Sequence, residues 1–276
     1  MKTSLNIRGK LLDLSETIVM GILNVTPDSF LPGSRIRNDS DLLKMTTKMV
    51  GDGAAIIDIG GHSTRPGSEK VSLQMEIERV LPAIDKIIKE FPDAILSIDT
   101  FRSEVARVAI DSGASIINDI SGGTLDNEMF DTVSELKVPY VLGHIQGNFS
   151  TMMKETNYNN LIAYLINHFA KKIQLLQALD VHDIVIDPCF GFSKTADQNF
   201  TILKNLAYFS NLGMPILAGL SRKSMIYKFL EISPEEALNG TIVLNTIALS
   251  NGASILRVHD VKEAVDTIML FQKTYN

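Results

Sequence analysis

The sequence predicts an α/β fold, a single (β/α)8 barrel with its active site at the carboxyl ends of the strands. Three observations lead to this prediction. Short runs rich in Ile and Val recur along the chain, and polar loops followed by segments with helical spacing alternate with them. No linker rich in Pro, Gly or Ser divides the 276 residues. We therefore expect one barrel domain over 1–276, because this fold needs about 250 residues.

Eight segments fit buried parallel strands, because each is short, apolar on both faces and rich in Ile and Val. They are 17–23, 55–60, 94–99, 114–120, 138–143, 183–188, 214–220 and 253–259. Gly-Ala pairs beginning at Gly53, Gly113 and Gly252 introduce three of them. A glycine in that place is typical of a helix end that leads into a strand.

Segments between these strands have the apolar spacing of amphipathic helices. Examples are 72–90, 103–112, 126–136, 158–178, 198–210, 235–250 and 260–273. Ser72 and Ser103 begin two of them, each with a glutamate in the first turn. Pro82 lies inside the first segment, so we expect that helix to kink or to shift its boundary there.

Composition and charge narrow the class of protein. The net charge is −6, from 26 basic and 32 acidic residues, so no nucleic-acid partner is expected. The apolar runs are far shorter than the roughly 20 residues that span a bilayer, and we expect no membrane partner. The first residues do not resemble a secretion signal. Because Cys189 is the sole cysteine, no disulfide can form within the chain. These features predict a cytoplasmic protein.

Polar side chains stand at the carboxyl end of every predicted strand, where such a barrel carries its active site. They are Asn24, Asp58, Asp99, Asn118, Asp119, His144, Asp187, Ser221, Arg222, Lys223, Arg257 and His259. A single Asp at a strand end is often only a helix cap or a turn residue. Capping alone explains such a complete rim poorly, so the rim predicts a binding site.

Asp99, Asn118 and Asp187 follow the third, fourth and sixth predicted strands and should converge on one side of the barrel mouth. Their carboxylates and amide suit a flat heterocycle with an amino-amide edge, since a carboxylate accepts two parallel hydrogen bonds. Neither GxGxxG nor GxxxxGK[ST] occurs in the chain, so a dinucleotide site or a P-loop is not expected.

Basic side chains from the second loop and the last strand predict a second subsite. Arg65, Arg257 and His259 form a plausible clamp for a diphosphate, since guanidinium groups bind phosphate oxygens in pairs. Asn24, on the neighbouring first strand, offers an amide oxygen to a hard cation that phosphate oxygens and water hold.

Seven blocks in order along the chain resemble the dihydropteroate synthase family. They are MGILNVTPDSF (20–30), GAAIIDIGGHSTRPG (53–67), SIDT (97–100), INDI (117–120), DPCFGFSK (187–194), GLSRKS (219–224) and RVHD (257–260). The family implies a barrel enzyme of folate biosynthesis. It condenses 6-hydroxymethyl-7,8-dihydropterin diphosphate with p-aminobenzoate and releases 7,8-dihydropteroate and diphosphate.

The resemblance also implies roles for the residues at matching positions. The implied pterin set is Asp99, Asn118, Asp187, Lys223 and Arg257, of which Asp99, Asp187 and Lys223 would be catalytic. The implied diphosphate set is Asn24, Arg65, Arg257 and His259, with Mg²⁺ as cofactor at Asn24. The implied p-aminobenzoate pocket is Thr64, Pro66, Phe192 and Ser221, where sulfonamides would compete. Asp58 would order the first two loops around the product diphosphate.

The implied mechanism is dissociative, with the C–O bond to diphosphate broken before the arylamine attacks, and the implied assembly is a homodimer. Two alternatives stay open. A pterin-dependent methyltransferase shares the Asp–Asn–Asp set on the same barrel. The second alternative is a catalytically weak pterin-binding paralogue.

The chain departs from the family pattern near the implied pterin site. Gly143 and Ile145 flank His144 where the family usually has methionines, and we expect Gly143 to loosen the wall against the pterin face. His144 itself is expected to be a structural histidine. Cys189 and Ser193 stand where the family usually has glycine, and both are small enough to be tolerated.

Overall fold

The structure is a computed structural model that describes residues 2–26, 39–62, 71–148, 151–152 and 154–275. Its strands are β1 (Ser4–Ile7), β2 (Lys10–Asp13), β3 (Ile18–Asn24), β4 (Ile56–Gly60), β5 (Leu96–Asp99), β6 (Ile116–Asp119), β7 (Tyr140–Leu142), β8 (Ile184–Ile186), β9 (Leu217–Ala218) and β10 (Ile255–Val258). Its helices are α1 (Asp39–Gly51), α2 (Leu73–Glu90), α3 (Ser103–Asp111), α4 (Met129–Leu136), α5 (Leu161–Ala178), α6 (Ala196–Lys204), α7 (Ser224–Tyr227), α8 (Leu238–Ser250) and α9 (Val261–Tyr275).

Strands β3 to β10 form one parallel sheet of eight strands in the order β8-β7-β6-β5-β4-β3-β10-β9. A parallel bridge between Ile186 and Ile216 joins its two edges. There the Ile186 N–H donates to the Pro215 carbonyl over 2.9 Å. The predicted (β/α)8 barrel is confirmed, and the carboxyl ends of its strands open on one rim.

The helical segments follow the predictions in most places. Helix α1 was not among the predicted segments. The predicted helix 198–210 ends in a 3-10 helix, Leu206–Leu212, and the predicted helix 235–250 begins in a 3-10 turn, Pro234–Glu236. Helix α2 runs from Leu73 to Glu90 with Pro82 inside it, so its boundary does not shift there, and the expected kink at Pro82 stays a prediction. Val80 and Ile84 on either side of Pro82 are fully buried, and this packing outweighs the lost hydrogen bond. Among the described residues no helix is long and apolar enough to cross a membrane.

An antiparallel hairpin of β1 and β2, which the sequence analysis missed, precedes the barrel. Arg8 and Gly9 at its tip have φ values of 50° and 87°, as a tight two-residue turn of type I′ requires. Leu5 and Ile7 pack on inward-facing barrel residues such as Met20 and form one apolar cluster with them. The hairpin therefore packs against the barrel interior, where it extends the apolar core.

We expect Leu5→Ala to lower the free energy of unfolding by about 2–4 kcal/mol, because Leu5 is fully buried in this cluster. Denaturant unfolding measures the loss. Leu11→Ala is the matched control on the same hairpin, since Leu11 is 75% exposed and should change stability by less than about 0.5 kcal/mol. Equal losses for the two variants would contradict the packing of this hairpin on the barrel.

Candidate active site

A cavity opens at the carboxyl ends of the barrel strands. Its lining residues are Asp99, Asn118, Ile120, Asp187, Cys189, Phe190, Phe192, Gly219, Lys223 and Arg257. The strand register explains part of this grouping. Asn24 pairs with Gly60, Gly60 with Asp99, and Asp99 with Asn118, so these residues lie side by side across β3, β4, β5 and β6. The structure thus brings the Asp99, Asn118 and Asp187 side chains together, as the sequence predicted.

The guanidinium of Arg257 joins two carboxylates at the floor of this site. Its Nε lies 2.6 Å from Asp58 Oδ2, and its Nη2 lies 2.6 Å from Asp99 Oδ2. Asn118 Nδ2 donates to the same Asp58 oxygen over 3.0 Å. Asp58, which is fully buried, therefore orients Arg257 and Asn118. Its implied role in ordering the first two loops concerns residues outside the described ones and stays a prediction.

Burial shifts the pKa values of Asp99, Asp187 and Lys223 toward neutral pH. It raises the pKa of Asp99 to about 7, although the Arg257 guanidinium opposes the shift. It also raises the pKa of Asp187, although the Cys189 N–H donates to Asp187 Oδ1 over 2.7 Å. Burial and the Arg257 charge lower the pKa of Lys223 to about 8. Such groups respond to a ligand that supplies hydrogen bonds or charge.

Lys223 lies over an aromatic ring at the edge of the cavity. Its Nζ is 4.1 Å from the centroid of Phe192, a distance at which a cation interacts with the ring face. Gly191, with a φ of 85°, lets the lysine stem pass, because a Cβ there would lie 3.3 Å from Lys223 Cδ. The structure therefore joins one residue of the implied pterin set to one of the implied p-aminobenzoate set.

Ser221 and His259 form a second polar pair, at the ends of β9 and β10. Ser221 Oγ lies 2.9 Å from His259 Nδ1 and accepts the His259 main-chain N–H over 3.2 Å. Burial lowers the pKa of His259 to about 4, so the ring is neutral at pH 7. If the hydroxyl donates to Nδ1, the ring proton resides on Nε2, and the imidazole then offers a donor to an anion.

The sequence placed Arg222 at the rim beside Lys223, but in the structure its side chain bonds to other parts of the chain and does not line the cavity. Its Nε and Nη2 form two hydrogen bonds to the carboxylate of Asp260, over 2.8 and 2.9 Å. Its Nη1 donates to the carbonyls of Pro234 and Glu235. Arg222 therefore fixes the segment after β9, and Lys223 is the basic residue of this block that lines the cavity.

The backbone packs closely around Gly143. The Gly143 N–H donates to the Asp119 carbonyl over 2.9 Å, and a Cβ at Gly143 would lie 2.5 Å from that oxygen. The neighbouring backbone thus occupies the space that a side chain would need, and the expected effect of Gly143 on packing against a pterin stays a prediction. Ile120 and Cys189 line the cavity here, and Ile145 packs against them.

Lys194, which the sequence analysis did not single out, is buried behind the cavity residues Cys189 and Phe192. It is 4% exposed, and its Nζ lies 3.2 Å from Nδ1 of the fully buried His144. It also donates to the carbonyls of Cys189 and Phe192. Because Nδ1 accepts this bond and burial lowers the pKa of His144, the imidazole is neutral and structural, in agreement with the expectation. The last position of the block DPCFGFSK could have indicated Lys194.

Asn24 lies next to a glycine that leaves room for its amide. A Cβ at Gly60 would lie 3.2 Å from Asn24 Oδ1 and 3.8 Å from Asp99 Oδ2, so any side chain there would crowd this oxygen. An amide oxygen is a hard ligand of the type that Mg²⁺ takes beside phosphate oxygens and water. Three further candidates from the sequence, Thr64, Arg65 and Pro66, lie outside the described residues.

A family model described as "Pterin binding enzyme" matches residues 20–259. The barrel and its rim are therefore those of a pterin-binding enzyme. The dihydropteroate synthase of Synechocystis sp. is 45% identical over 249 residues, which are 89% of this chain and 86% of that protein. The chain belongs to the dihydropteroate synthase family.

Solved structures of this family have the same fold. A structure of the Yersinia pestis dihydropteroate synthase in complex with a sulfonamide drug is 36% identical with a TM-score of 0.94, and 99% of each chain is covered. A structure of the Xanthomonas albilineans dihydropteroate synthase with 4-aminobenzoic acid is 34% identical with a TM-score of 0.90. The match covers 100% of this chain and 99% of that one.

Proposed function

We propose that this chain condenses 6-hydroxymethyl-7,8-dihydropterin diphosphate with p-aminobenzoate, giving 7,8-dihydropteroate and diphosphate. One observation carries the proposal: Asp99, Asn118, Asp187, Lys223 and Arg257 line a single cavity at the barrel rim. A cavity with two carboxylates, an amide and two cations can satisfy every polar edge of a pterin ring. The membership of the dihydropteroate synthase family supports this choice of reaction.

Asp187 is the best-placed acceptor for the amino-amide edge of the ring. Its Oδ1 already accepts the Cys189 N–H, which fixes the orientation of the carboxylate. A carboxylate accepts two parallel hydrogen bonds from an amino group and a neighbouring ring N–H, and charge strengthens both. Asn118 can complement the remaining edge, because the contact with Asp58 holds its amide in place. Lys223 would donate to a ring oxygen or nitrogen, and Arg257 offers its guanidinium plane for stacking on the ring.

In the proposed reaction the C–O bond to diphosphate breaks first and leaves a pterin methylene cation. The arylamine nitrogen then attacks this cation, and the resulting C–N bond is completed by loss of the anilinium proton to water or to the released diphosphate. The carboxylates of Asp99 and Asp187 would offset the positive charge on the ring. Asn24 and His259, with Arg65, would bind the diphosphate. We propose Mg²⁺ at Asn24, where it would stabilise the negative charge on the departing diphosphate.

The arylamine would bind next to Phe192 and Ser221. Phe192 lines the cavity, and an aromatic ring can pack on the face of an aminobenzoate. The Xanthomonas albilineans relative has a structure with 4-aminobenzoic acid, and the Yersinia pestis relative has one with a sulfonamide drug. We therefore propose that a sulfonamide competes with p-aminobenzoate on this chain, with Thr64 and Pro66 from the second loop completing the pocket.

An assay with pterin diphosphate, p-aminobenzoate and Mg²⁺ tests the proposal by measuring dihydropteroate and released diphosphate. Formation of both products supports the synthase. Pterin binding without product would indicate the weak paralogue. Methyl transfer from a methylated pterin, again without dihydropteroate, would indicate the methyltransferase. A chain that binds no pterin would refute all three functions.

We expect kcat/KM to have a bell-shaped pH profile with its maximum between about 7 and 8. The acid limb would follow ionisation of the carboxylates, since burial raises the pKa of Asp99 to about 7 and also raises that of Asp187. The alkaline limb would follow loss of the proton from Lys223, whose pKa burial lowers to about 8. Initial rates between pH 5 and 10 measure both limbs.

Lys223→Arg should move the alkaline limb to higher pH, because a guanidinium stays protonated throughout this range. Lys262→Arg, at an exposed position of α9, is the control and should leave the profile unchanged. An alkaline limb at the same pH in the Lys223→Arg variant would contradict the assignment of this limb to Lys223.

We also propose that the chain forms a homodimer through α8 and α9. Helix α8 carries no charged residue, whereas a surface helix normally presents charged or polar residues to solvent. Val243 and Ile247 on α8 are nonetheless exposed, as are Met269 and Leu270 on α9. A second copy of the chain would cover this surface. The molecular mass from sedimentation equilibrium measures whether the chain dimerises. The cytoplasmic location expected from the sequence stays a prediction.

A further inference from the structure

The loop after β8 holds two residues other than glycine in a left-handed backbone conformation. Cys189 has a φ of 55° and Ser193 a φ of 54°. A residue with a Cβ is disfavoured in this region, whereas glycine adopts it readily. The conformation explains why glycine suits both positions of the block DPCFGFSK. In this chain the side chains of Cys189 and Ser193 make contacts that hold their backbones in the strained conformation.

Ser193 makes contacts that a glycine could not make. Its hydroxyl is fully buried, accepts the main-chain N–H of Gln146 over 2.8 Å and lies 3.1 Å from the Gln146 carbonyl, to which it donates. The Cys189 Sγ likewise accepts the main-chain N–H of His144 over 3.3 Å. These side chains therefore join the loop after β8 to the segment 143–148 after β7.

Neighbouring groups fix the rest of the loop after β8. The ammonium of Lys194 donates to the carbonyls of Phe192 and His144, over 2.8 and 3.2 Å, and so ties the same two segments together. The hydroxyl of Tyr158 donates to the Ser193 carbonyl over 2.8 Å. The Phe192 ring between these anchors lines the cavity and faces Lys223. Hence the link between the two loops determines where that ring lies.

We propose that Ser193 is a positioning residue, which acts through Phe192 on the subsite for the arylamine. Its hydroxyl, bound to both main-chain groups of Gln146, holds the Phe192 ring against Lys223 at the edge of the cavity. The identity of the ligand at this subsite rests on the proposed function, whereas the link between the two loops does not. Cys189 reinforces the link from the other end of the loop.

Two variants at Ser193 separate its hydrogen bonds from its backbone strain. Ser193→Ala removes the hydroxyl and keeps the strain, and Ser193→Gly removes both. We expect both variants to raise the KM for p-aminobenzoate by about 5- to 30-fold, because this factor corresponds to the loss of one or two hydrogen bonds. The kcat should change less. We expect a higher midpoint of thermal unfolding for Ser193→Gly than for Ser193→Ala, since only the glycine relieves the strain.

Hydrogen exchange of the segment 143–148, followed by mass spectrometry, tests the link without any assay of activity. It should be faster in both Ser193 variants, because the Gln146 amide loses its acceptor. Lys137→Gly is the matched control. Lys137 has a φ of 53° at the exposed end of α4, so its replacement relieves similar strain far from the cavity. It should leave the KM for p-aminobenzoate and the exchange of 143–148 unchanged.

Unchanged exchange in both Ser193 variants would refute the link, and faster exchange with an unchanged KM would refute the positioning role. A wild-type KM in Ser193→Gly, with a raised KM in Ser193→Ala alone, would assign the effect to strain and would also overturn the proposal. If the wild-type chain formed no dihydropteroate, the proposed function would fall. The exchange experiment and the binding of p-aminobenzoate or a sulfonamide, compared between wild type and variants, would then decide this inference.

Discussion

Asp187→Asn is expected to lower kcat/KM for pterin diphosphate by roughly 10²- to 10³-fold. The carboxylate would accept two charge-assisted hydrogen bonds, and their loss amounts to about 3–4 kcal/mol. An asparagine can still accept the Cys189 N–H through its oxygen, as Asp187 Oδ1 does. Its NH₂ group then faces the donors of the ring, so one attractive contact becomes a repulsive one. Steady-state kinetics with both substrates measures the change.

The same substitution should not destabilise the protein. Burial raises the pKa of Asp187, which means that the folded state disfavours its charged form. Such a group stabilises the fold at low pH and loses that contribution as pH rises through its folded pKa. A neutral asparagine avoids the loss, so its thermal midpoint at pH 8 should equal or exceed that of the wild type. Asp93→Asn is the control, since the side chain of Asp93 is 95% exposed. Wild-type kinetics in Asp187→Asn would refute the proposed pterin contact.

The parts of the site that could be predicted from the sequence share one physical origin. Parallel strands end on the same rim, so residues at equivalent positions in successive strands become neighbours. Asp99 and Asn118 are direct cross-strand partners, and Asp187 follows β8 on the same rim. Strand ends can be located from apolar runs alone. The strand ends therefore predict which side chains lie near one another. They do not predict the hydrogen bonds between these side chains, because the orientation of each side chain is not determined.

The remaining features depend on three-dimensional proximity that no spacing in the sequence encodes. Gly143 has no room for a side chain because the Asp119 carbonyl approaches it closely. The backbones of Cys189 and Ser193 are left-handed, although neither residue type indicates such a turn. The β1–β2 hairpin was missed because its strands, SLNI and KLLD, mix polar and apolar residues, whereas the barrel strands lie in continuous apolar runs.

The pair of carboxylates around Arg257 leads to the second prediction with a large effect. Asp58 is fully buried, and its Oδ2 accepts hydrogen bonds from Arg257 and Asn118. Arg257→Met removes the cation and leaves two carboxylates at the floor of the cavity with little compensation. Removal of one partner from a buried ion pair costs about 3–5 kcal/mol. We therefore expect a midpoint of thermal unfolding lower by roughly 6–15 °C and loss of pterin binding.

A matched control separates this effect from the loss of any arginine. Arg107→Met removes an ion pair with Glu135 whose side chains are 40% and 61% exposed. Such a pair contributes less than about 1 kcal/mol, so the thermal midpoint should stay within a few degrees of the wild type. An equal loss in both variants would contradict the special role of Arg257.

A double variant and a change of pH identify the cause. In Arg257→Met/Asp58→Asn the amide can keep its contact with Asn118 without a buried charge, so we expect the double variant to regain about half of the lost stability without activity. The pH dependence of the stability gives an independent test. Burial raises the pKa of Asp99 to about 7 even with the guanidinium present, and removal of the guanidinium would raise that pKa further. A carboxyl with a raised pKa contributes its stability at low pH and loses it as pH rises, so the deficit of Arg257→Met should be smaller at pH 5 than at pH 8. A deficit independent of pH, with no recovery in the double variant, would mean that Arg257 stabilises the barrel through packing of its stem and not through the two carboxylates.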